Sequence, residues 1–170
     1  MARLIMLSGL PGSGKSTLGQ ELARRTGAIL VRIDVLEQDL RNRHDSRFDV
    51  GTAGYKAGYN LAARHLRSGH QVIADAVNAV EAARKGWRKA AHQSGVPAIE
   101  IEIFCSSLEE AETRLKTRDT GIEGLHPVSL EDRQQRRWQD NPQANLRLDT
   151  AGRSIEACTD EIERFLNSLT

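Results

Sequence analysis

Residues Gly9-Leu-Pro-Gly-Ser-Gly14-Lys15-Ser16 fit the pattern G-x-x-x-x-G-K-[ST] in full. Each position has a physical task if the partner is a polyphosphate. Glycines at 9, 12 and 14 let the chain turn tightly and aim successive N–H groups into one concavity, which suits an anion. Leu10, Pro11 and Ser13 complete the loop, and Thr17 follows it into a helix whose N-terminus adds partial positive charge. Lys15 supplies a mobile full charge for β- and γ-phosphates, and the Ser16 hydroxyl is suited to ligating Mg²⁺. An accidental match arises in on the order of one chain in a hundred at ordinary glycine frequency. Here an apolar run precedes the match and a helical pattern follows it. The alternative, an ordinary glycine-rich turn, has little support in that setting. The expected ligand is a nucleoside triphosphate, ATP foremost, held by residues 9–17.

A loop of this kind needs a strand before it and a helix after it. Leu4-Ile-Met-Leu7 is a short apolar run of the sort a buried strand shows, and Ser16 to Thr26 carries Leu18, Leu22 and Ala23 on one helical face, closed by Gly27. Further strands are expected at Ala28–Ile33, ending at Asp34, at Val72–Ala74, ending at Asp75, at Ala98–Cys105 and at Asn145–Leu148. Helices are expected from Val35 to about Arg43, Gly51 to Ser68, Val80 to Ser94, Ser107 to about Arg118, and in the closing Ile155–Leu166 segment. Residues 42–49 form a polar loop. The Ile/Glu alternation of the fourth strand points to an exposed face or an edge position. Ser107 and Glu110 have capping-box spacing. Gly51, Gly54 and Gly58 share roughly one helix face, either for close backbone packing or as room for a substrate. Residues 119–142 are polar and rich in Arg and Gln, with a helix expected around Leu130–Gln139. Strand and helix alternate about five times, so the expected fold is a three-layer α/β domain over residues 1–170: a five-stranded parallel sheet with helices on both faces.

The chain has 170 residues, 24 basic against 23 acidic, for a formal net charge of +1. A nucleic-acid binder usually shows a basic excess, so a small substrate is favoured over nucleic acid. Cys105 and Cys158 have no CxxC partner and no histidine at zinc spacing, and are expected as buried thiols. The N-terminus reaches glycine too soon for a signal peptide, and no run of about 18 apolar residues occurs. A cytoplasmic protein without a membrane segment is expected. Trp87, Trp138, Tyr55 and Tyr59 are expected as packing residues rather than base-stacking platforms. Oligomeric state is not legible.

The phosphate loop, Arg32-Ile-Asp34, Val72-Ile-Ala-Asp75-Ala-Val-Asn78, Arg84, Arg114-Leu-Lys-Thr-Arg118 and Arg147-Leu-Asp-Thr150 stand in the order seen in small P-loop kinases. Nearly the whole chain resembles the zeta-toxin and polynucleotide-kinase-like branch of that group. The resemblance implies the P-loop NTPase fold with residues 119–142 as a helical lid. It implies Asp34 as the carboxylate that prepares the acceptor hydroxyl, with an N-cap of the next helix as the alternative. Asp75 would hold Mg²⁺ through water or brace the site's arginines, or serve as a turn or cap. Arg114 would pack near the adenine, and Arg118 would reach the transferred phosphate from the lid hinge; a solvated basic face is the alternative for both. Asn78 would orient neighbours or simply make a turn, and Arg84 would more ordinarily be solvated. Arg133, Arg136 and Arg137 would enter the site on closure or face solvent. The lid departs from the branch's acidic, serine-rich pattern at Gly121-Ile-Glu-Gly-Leu-His-Pro127.

These residues together imply transfer of the γ-phosphoryl group of Mg·ATP to a hydroxyl of a small molecule. Lys15, Asp34 and Arg118 would be catalytic, Ser16 and Asp75 on the metal side, and residues 9–17 with Arg114 on the nucleotide. A 5′-hydroxyl polynucleotide kinase, a toxin-type nucleotide-sugar kinase and a nucleotide-gated binding module are the alternatives.

Overall fold

A computed structural model describes residues 1–44 and 50–169. The part of the expected polar loop at 45–49 lies outside them. Five parallel strands form one sheet in the order β2-β3-β1-β4-β5: β1 (Leu4–Ser8), β2 (Ile29–Arg32), β3 (Val72–Asp75), β4 (Ala98–Phe104) and β5 (Leu146–Asp149). The helices are α1 (Lys15–Thr26), α2 (Ile33–Arg43), α3 (Ala53–Arg67), α4 (Glu81–Gln93), α5 (Leu108–Thr117), α6 (Leu130–Gln135) and α7 (Ile155–Ser168).

The central strand β1 is buried along its whole length, as a continuous apolar run covered on both faces should be. Alternate residues feed two cores. Ile5 and Leu7 join Ile73, Ile101, Ile103 and Leu148 under Leu18 and Leu22 of α1 and Cys158, Ile162 and Leu166 of α7. Leu4 and Met6 join Val31, Val72 and Ala74 under Ala62 and Leu66 of α3 and Trp87 and Ala91 of α4. The period of two in the strands thus dictates the three layers. Both cysteines are buried. The register aligns Leu7 and Arg32 with Asp75, and Phe104 with Asp149; Ser8 pairs with Glu102, so β4 and β5 run slightly past the other strands at the same rim. In an open parallel sheet that rim is where ligands bind.

Four local expectations need correction. First, β4 lies between β1 and β5, and its glutamates are buried. The second face of the strand is covered by α4 and by residues 141–147. Glu100 accepts from Arg88 Nη1 at 2.6 Å and from Asn141 Nδ2 at 2.8 Å, and Glu102 accepts from Arg147 Nη2 at 2.9 Å. Alternation therefore marked ion pairing rather than exposure, since buried charges persist when paired. Second, α2 begins at Ile33 with Arg32 as its N-cap, so Asp34 is the second helical residue and neither ends the strand nor caps the helix. Its charge sits in the first turn, where the helix dipole favours it.

Third, Ser107 does cap α5 by accepting from Glu110 N, but Glu110 turns its carboxylate to Gly152 N and Arg114 instead of completing the box. The reciprocal box belongs to Ser129 and Asp132, at the start of α6. Fourth, α3 starts at Ala53, leaving Gly51 ahead of it, and α6 stops at Gln135. Within α3 close packing explains the glycines: a Cβ on Gly54 would collide with Glu37, and one on Gly58 with Ile33 and Trp87.

Candidate active site

The phosphate loop leaves β1 and enters α1 at Lys15. Gly12 and Gly14 hold φ values of 82° and 91°, the left-handed region that only glycine enters cheaply. Gly9 is required for another reason, because a side chain there would collide with the carbonyl of Ile103. The bond from Leu18 N to Gly14 O, at 3.0 Å, opens the helical ladder. The amides of Lys15, Ser16 and Thr17 precede it and have no intrahelical partner.

The loop is braced from behind. Thr150, just past β5, donates its hydroxyl to Ser13 O at 2.8 Å, and Arg114 donates to Thr150 Oγ1 at 2.8 Å and to Gly12 O at 3.3 Å. From α6, Arg133 is buried with Nε donating to Pro11 O at 2.9 Å.

Asp75, 3% exposed, lies between two cations. Lys15 Nζ is 3.5 Å from Oδ1 and Arg32 Nε is 3.5 Å from Oδ2. Three buried atoms here lack hydrogen-bond partners: Ser13 Oγ, Arg32 Nε and Asp75 Oδ1. Unsatisfied buried polar atoms are costly, and their concentration at one loop marks a place built for an additional polar group. No group of three or more His, Cys, Asp or Glu among the described residues is arranged to hold a metal. A hydroxyl at Ser16 and one carboxylate at Asp75 are the modest donor set that suits Mg²⁺, which keeps waters and phosphate oxygens as its other ligands.

Asp34 and Arg118 meet at the mouth, with Oδ2 and Nη2 3.6 Å apart and both side chains partly exposed. One turn along α2, Glu37 is pushed above the ordinary carboxyl value, chiefly because burial opposes its charge and secondly because Asp34 repels it; Arg41 and Arg136 act the other way.

Two cavities open at this rim. The first, about 540 Å³, is lined by residues 10–18 of the phosphate loop with Arg32, Arg114, Arg118, Thr150, Arg153 and Cys158. Its lining carries five basic side chains (Lys15, Arg32, Arg114, Arg118, Arg153) against the single acid Asp119. The second, about 530 Å³, lies between the start of α3 and the segment after β3, and Arg136 and Arg137 complete it. It adjoins the loop directly, because its wall residue Val77 accepts from Gly9 N at 3.1 Å.

The structure thus brings Lys15, Arg114 and Arg118 together with the phosphate loop, with Asp75 on Lys15 and Asp34 on Arg118. Arg114 lines the first cavity, but its donors are engaged by loop carbonyls and Thr150. Arg133 docks under Pro11, whereas Arg136 and Arg137 line the second cavity. Asn78 is a packing node: at φ 50°, its amide donates to Leu7 O at 2.8 Å and accepts from Trp87 Nε1 at 2.9 Å. Arg84, expected in solvent, is fully buried and donates to Asn78 O and Asp140 O at 3.1 Å.

Tyr55 and Tyr59 do pack, with Tyr59 edge-on to Trp87 at 4.8 Å, yet both also line the second cavity. Sequence reading passed over Arg32 and Thr150 as site residues. The signals were position, each standing at or just past the end of a strand, and their place in the segments Arg32-Ile-Asp34 and Arg147-Leu-Asp-Thr150.

A family model described as an AAA domain matches residues 4–144. A shikimate kinase of Geobacter sulfurreducens is 28% identical over 179 residues, spanning 96% of this chain and 91% of the relative. Among solved structures, the APS kinase CysC of Mycobacterium tuberculosis, in complex with AMPPNP and APS, superposes with a TM-score of 0.74 at 21% identity over 98% of both chains. A gluconokinase from Sinorhizobium meliloti 1021 gives a TM-score of 0.68 at 18% identity over 97% of this chain and 91% of that one. At these identities the structural likenesses establish the fold.

Proposed function

The chain belongs to this AAA domain family, and from that premise we propose that it is an ATP-dependent kinase that phosphorylates a hydroxyl of a small molecule. The observation that carries the reading is the convergence at one rim of a phosphate loop, with Lys15 on Asp75, and a carboxylate–guanidinium pair, Asp34 with Arg118. A binding module would need the first and not the second. Three relatives named as kinases for small molecules, a shikimate kinase, an APS kinase and a gluconokinase, support it further.

In this reading the amides of residues 14–17 and the Lys15 ammonium hold the β- and γ-phosphates in the first cavity. Lys15 exchanges its ion contact with Asp75 for phosphate oxygens, which leaves the Asp75 carboxylate to the metal side, where with Ser16 it would hold Mg²⁺. Mg²⁺, held through Ser16 and Asp75, would neutralise charge on the β- and γ-phosphates. The acceptor hydroxyl oxygen bonds to the γ-phosphorus as the bond from that phosphorus to the bridging oxygen breaks, and ADP leaves. Asp34 takes the hydroxyl proton, and Arg118 offsets the charge that spreads over the transferring group. Arg114 orders the loop, and its place on the cleft wall suits it to pack near the base.

Residues 119–142 act as a lid that excludes water from the site. Its far end is fixed: Gln139 N donates to Ala79 O at 2.8 Å and Asn141 is held by Glu100. Arg118 lies at its other end. Membership of the zeta-toxin and polynucleotide-kinase-like branch belongs to the same proposal, as does a single domain over residues 1–170.

The test is a screen of metabolites and oligonucleotides with γ-labelled ATP, with Lys15→Ala run alongside. Label on a small-molecule alcohol, absent in the variant, is the expected result. ATP hydrolysis without a labelled product would replace the kinase with a nucleotide-gated module.

A further inference from the structure

We infer that the second cavity is the acceptor site, and that it takes a hydroxy compound with an apolar body and an anionic group, carboxylate or phosphate ester. This rests on the kinase reading and adds the chemical class of its substrate.

The cavity's walls are of two kinds. Val77, Ala79, Val80 and Ala83 with the rings of Tyr55 and Tyr59 make an apolar side. Lys56, Arg136 and Arg137 stand at its margin, all three exposed, and no acid is among the described lining residues. Among the described residues the side chains of these three cations make no hydrogen bond and no ion pair closer than 4 Å. The nucleotide cleft offers a contrast, since Lys15, Arg32, Arg114 and Arg118 are all paired with carboxylates there. Among the described residues, three cations without an ion pair within 4 Å stand around an apolar pocket, with Glu37 and Asp132 acting on Arg136 only at longer range, and such a field attracts an anion and disfavours a cation. Paired guanidinium groups recognise carboxylate and phosphate oxygens alike.

Tyr55 adds a directed donor. Its oxygen accepts from Asn78 N at 3.2 Å, and its pKa is pushed up to about 12, first by burial, so it keeps its proton. That proton has no acceptor among the described residues. Tyr59 by contrast spends its proton on Ala83 O at 2.9 Å. The cavity is therefore a apolar slot with one neutral donor on its wall and cations at its edge. Such slots recognise a ligand's body by burial and its orientation by a few placed polar groups.

Its place fits an acceptor. Val77 bonds to the first residue of the phosphate loop, and Tyr55 feels the charges of Glu37, Asp34 and Arg136. An anion held at Arg136 and Arg137 leaves the far end of the ligand, carrying the hydroxyl, toward Asp34.

The test uses the full chain, γ-labelled ATP and four groups of probes. These are mandelate with hydroxycyclohexane carboxylates, their methyl esters, phosphate monoesters of the matching diols, and glycerate with glycolate. Label is expected in the apolar carboxylates or the phosphate monoesters, and the group labelled tells which anion is used. With the labelled probe, Arg136→Ala/Arg137→Ala should raise KM roughly 10- to 100-fold, the usual effect of losing charged hydrogen bonds. KM for ATP should stay unchanged, and Lys56→Gln should shift the acceptor KM in the same direction.

Equal kcat/KM for the methyl esters, or an acceptor KM unmoved by the double substitution, overturns the inference and leaves the kinase standing. If no probe is labelled, calorimetry with AMPPNP-loaded protein decides. Binding of an apolar anion that the double substitution abolishes keeps the cavity assignment and removes the kinase, and no binding overturns both.

Discussion

The two cavities at the carboxyl rim of the sheet are nearly equal in size, about 540 and about 530 Å³, but are built from different materials. The nucleotide cleft is made mostly of backbone: a glycine-rich turn, a helix N-terminus, and side chains such as Thr150, Arg114 and Arg133 whose hydrogen bonds end on loop carbonyls. Its charged groups are already paired with one another. The second cavity is made of side chains from α3, from the segment after β3 and from the end of α6, and its cations make no ion pair within 4 Å among the described residues. A backbone site recognises what every nucleoside triphosphate shares, the polyphosphate. A side-chain site can be redirected by one or two substitutions without disturbing the fold. In the proposed reading, generality resides in the first cavity and selectivity in the second.

The contrast can be broken by experiment, most forcefully at the cleft. Lys15→Ala should lower transfer by roughly 10³-fold for every acceptor alike, since it removes a charge from the donor phosphates. Circular dichroism should show the helices intact. A loss confined to some acceptors would mean that Lys15 belongs to the selective side.

Asp34→Asn tests the junction between the two regions. It should cut kcat by about 10² to 10⁴, the usual size of general-base effects, with ATP affinity unchanged by calorimetry. If transfer barely moves, the Asp34–Arg118 pair is a surface contact and the cavities do not share a reaction.

Thr150→Val sharpens the claim that the cleft is held from behind. Ser13 O loses the Thr150 hydroxyl and Arg114 Nη1 loses its nearest acceptor, which should cost about 1 to 3 kcal/mol in urea unfolding. KM for ATP should rise several-fold while kcat holds. An effect on the acceptor KM instead would show that the brace serves the other cavity.

The smallest effect is expected at Glu37, beside the second cavity. Its carboxyl is raised by burial, so between the ordinary value and the raised one the native state keeps a proton that the unfolded chain has released. Stability should therefore fall as pH rises through that window, and Glu37→Gln should flatten this part of the curve. Urea midpoints between pH about 4 and about 7 read the difference. A curve identical to that of the parent protein would place Glu37 in solvent.

By itself the sequence determined the phosphate loop, the alternation of strand and helix, and hence the layered parallel sheet with its ligand rim. These are written in short-range terms: glycines at set spacings, apolar residues at periods of two or near 3.6, and a lysine following a turn. It named Asp34, Asp75, Arg114 and Arg118 through their order along the chain.

Only the tertiary structure decided what these groups touch. Glu100 and Glu102 became buried partners of Arg88 and Arg147, Arg84 left solvent for two carbonyls, and Arg133 reached Pro11 across 122 residues. The same packing turned Arg136 and Arg137 toward Tyr55. Contacts between distant parts of a chain depend on strand order and helix placement, which no local pattern encodes. A charged side chain carries the same letter whether it ends in water, in a pair or at the edge of a pocket.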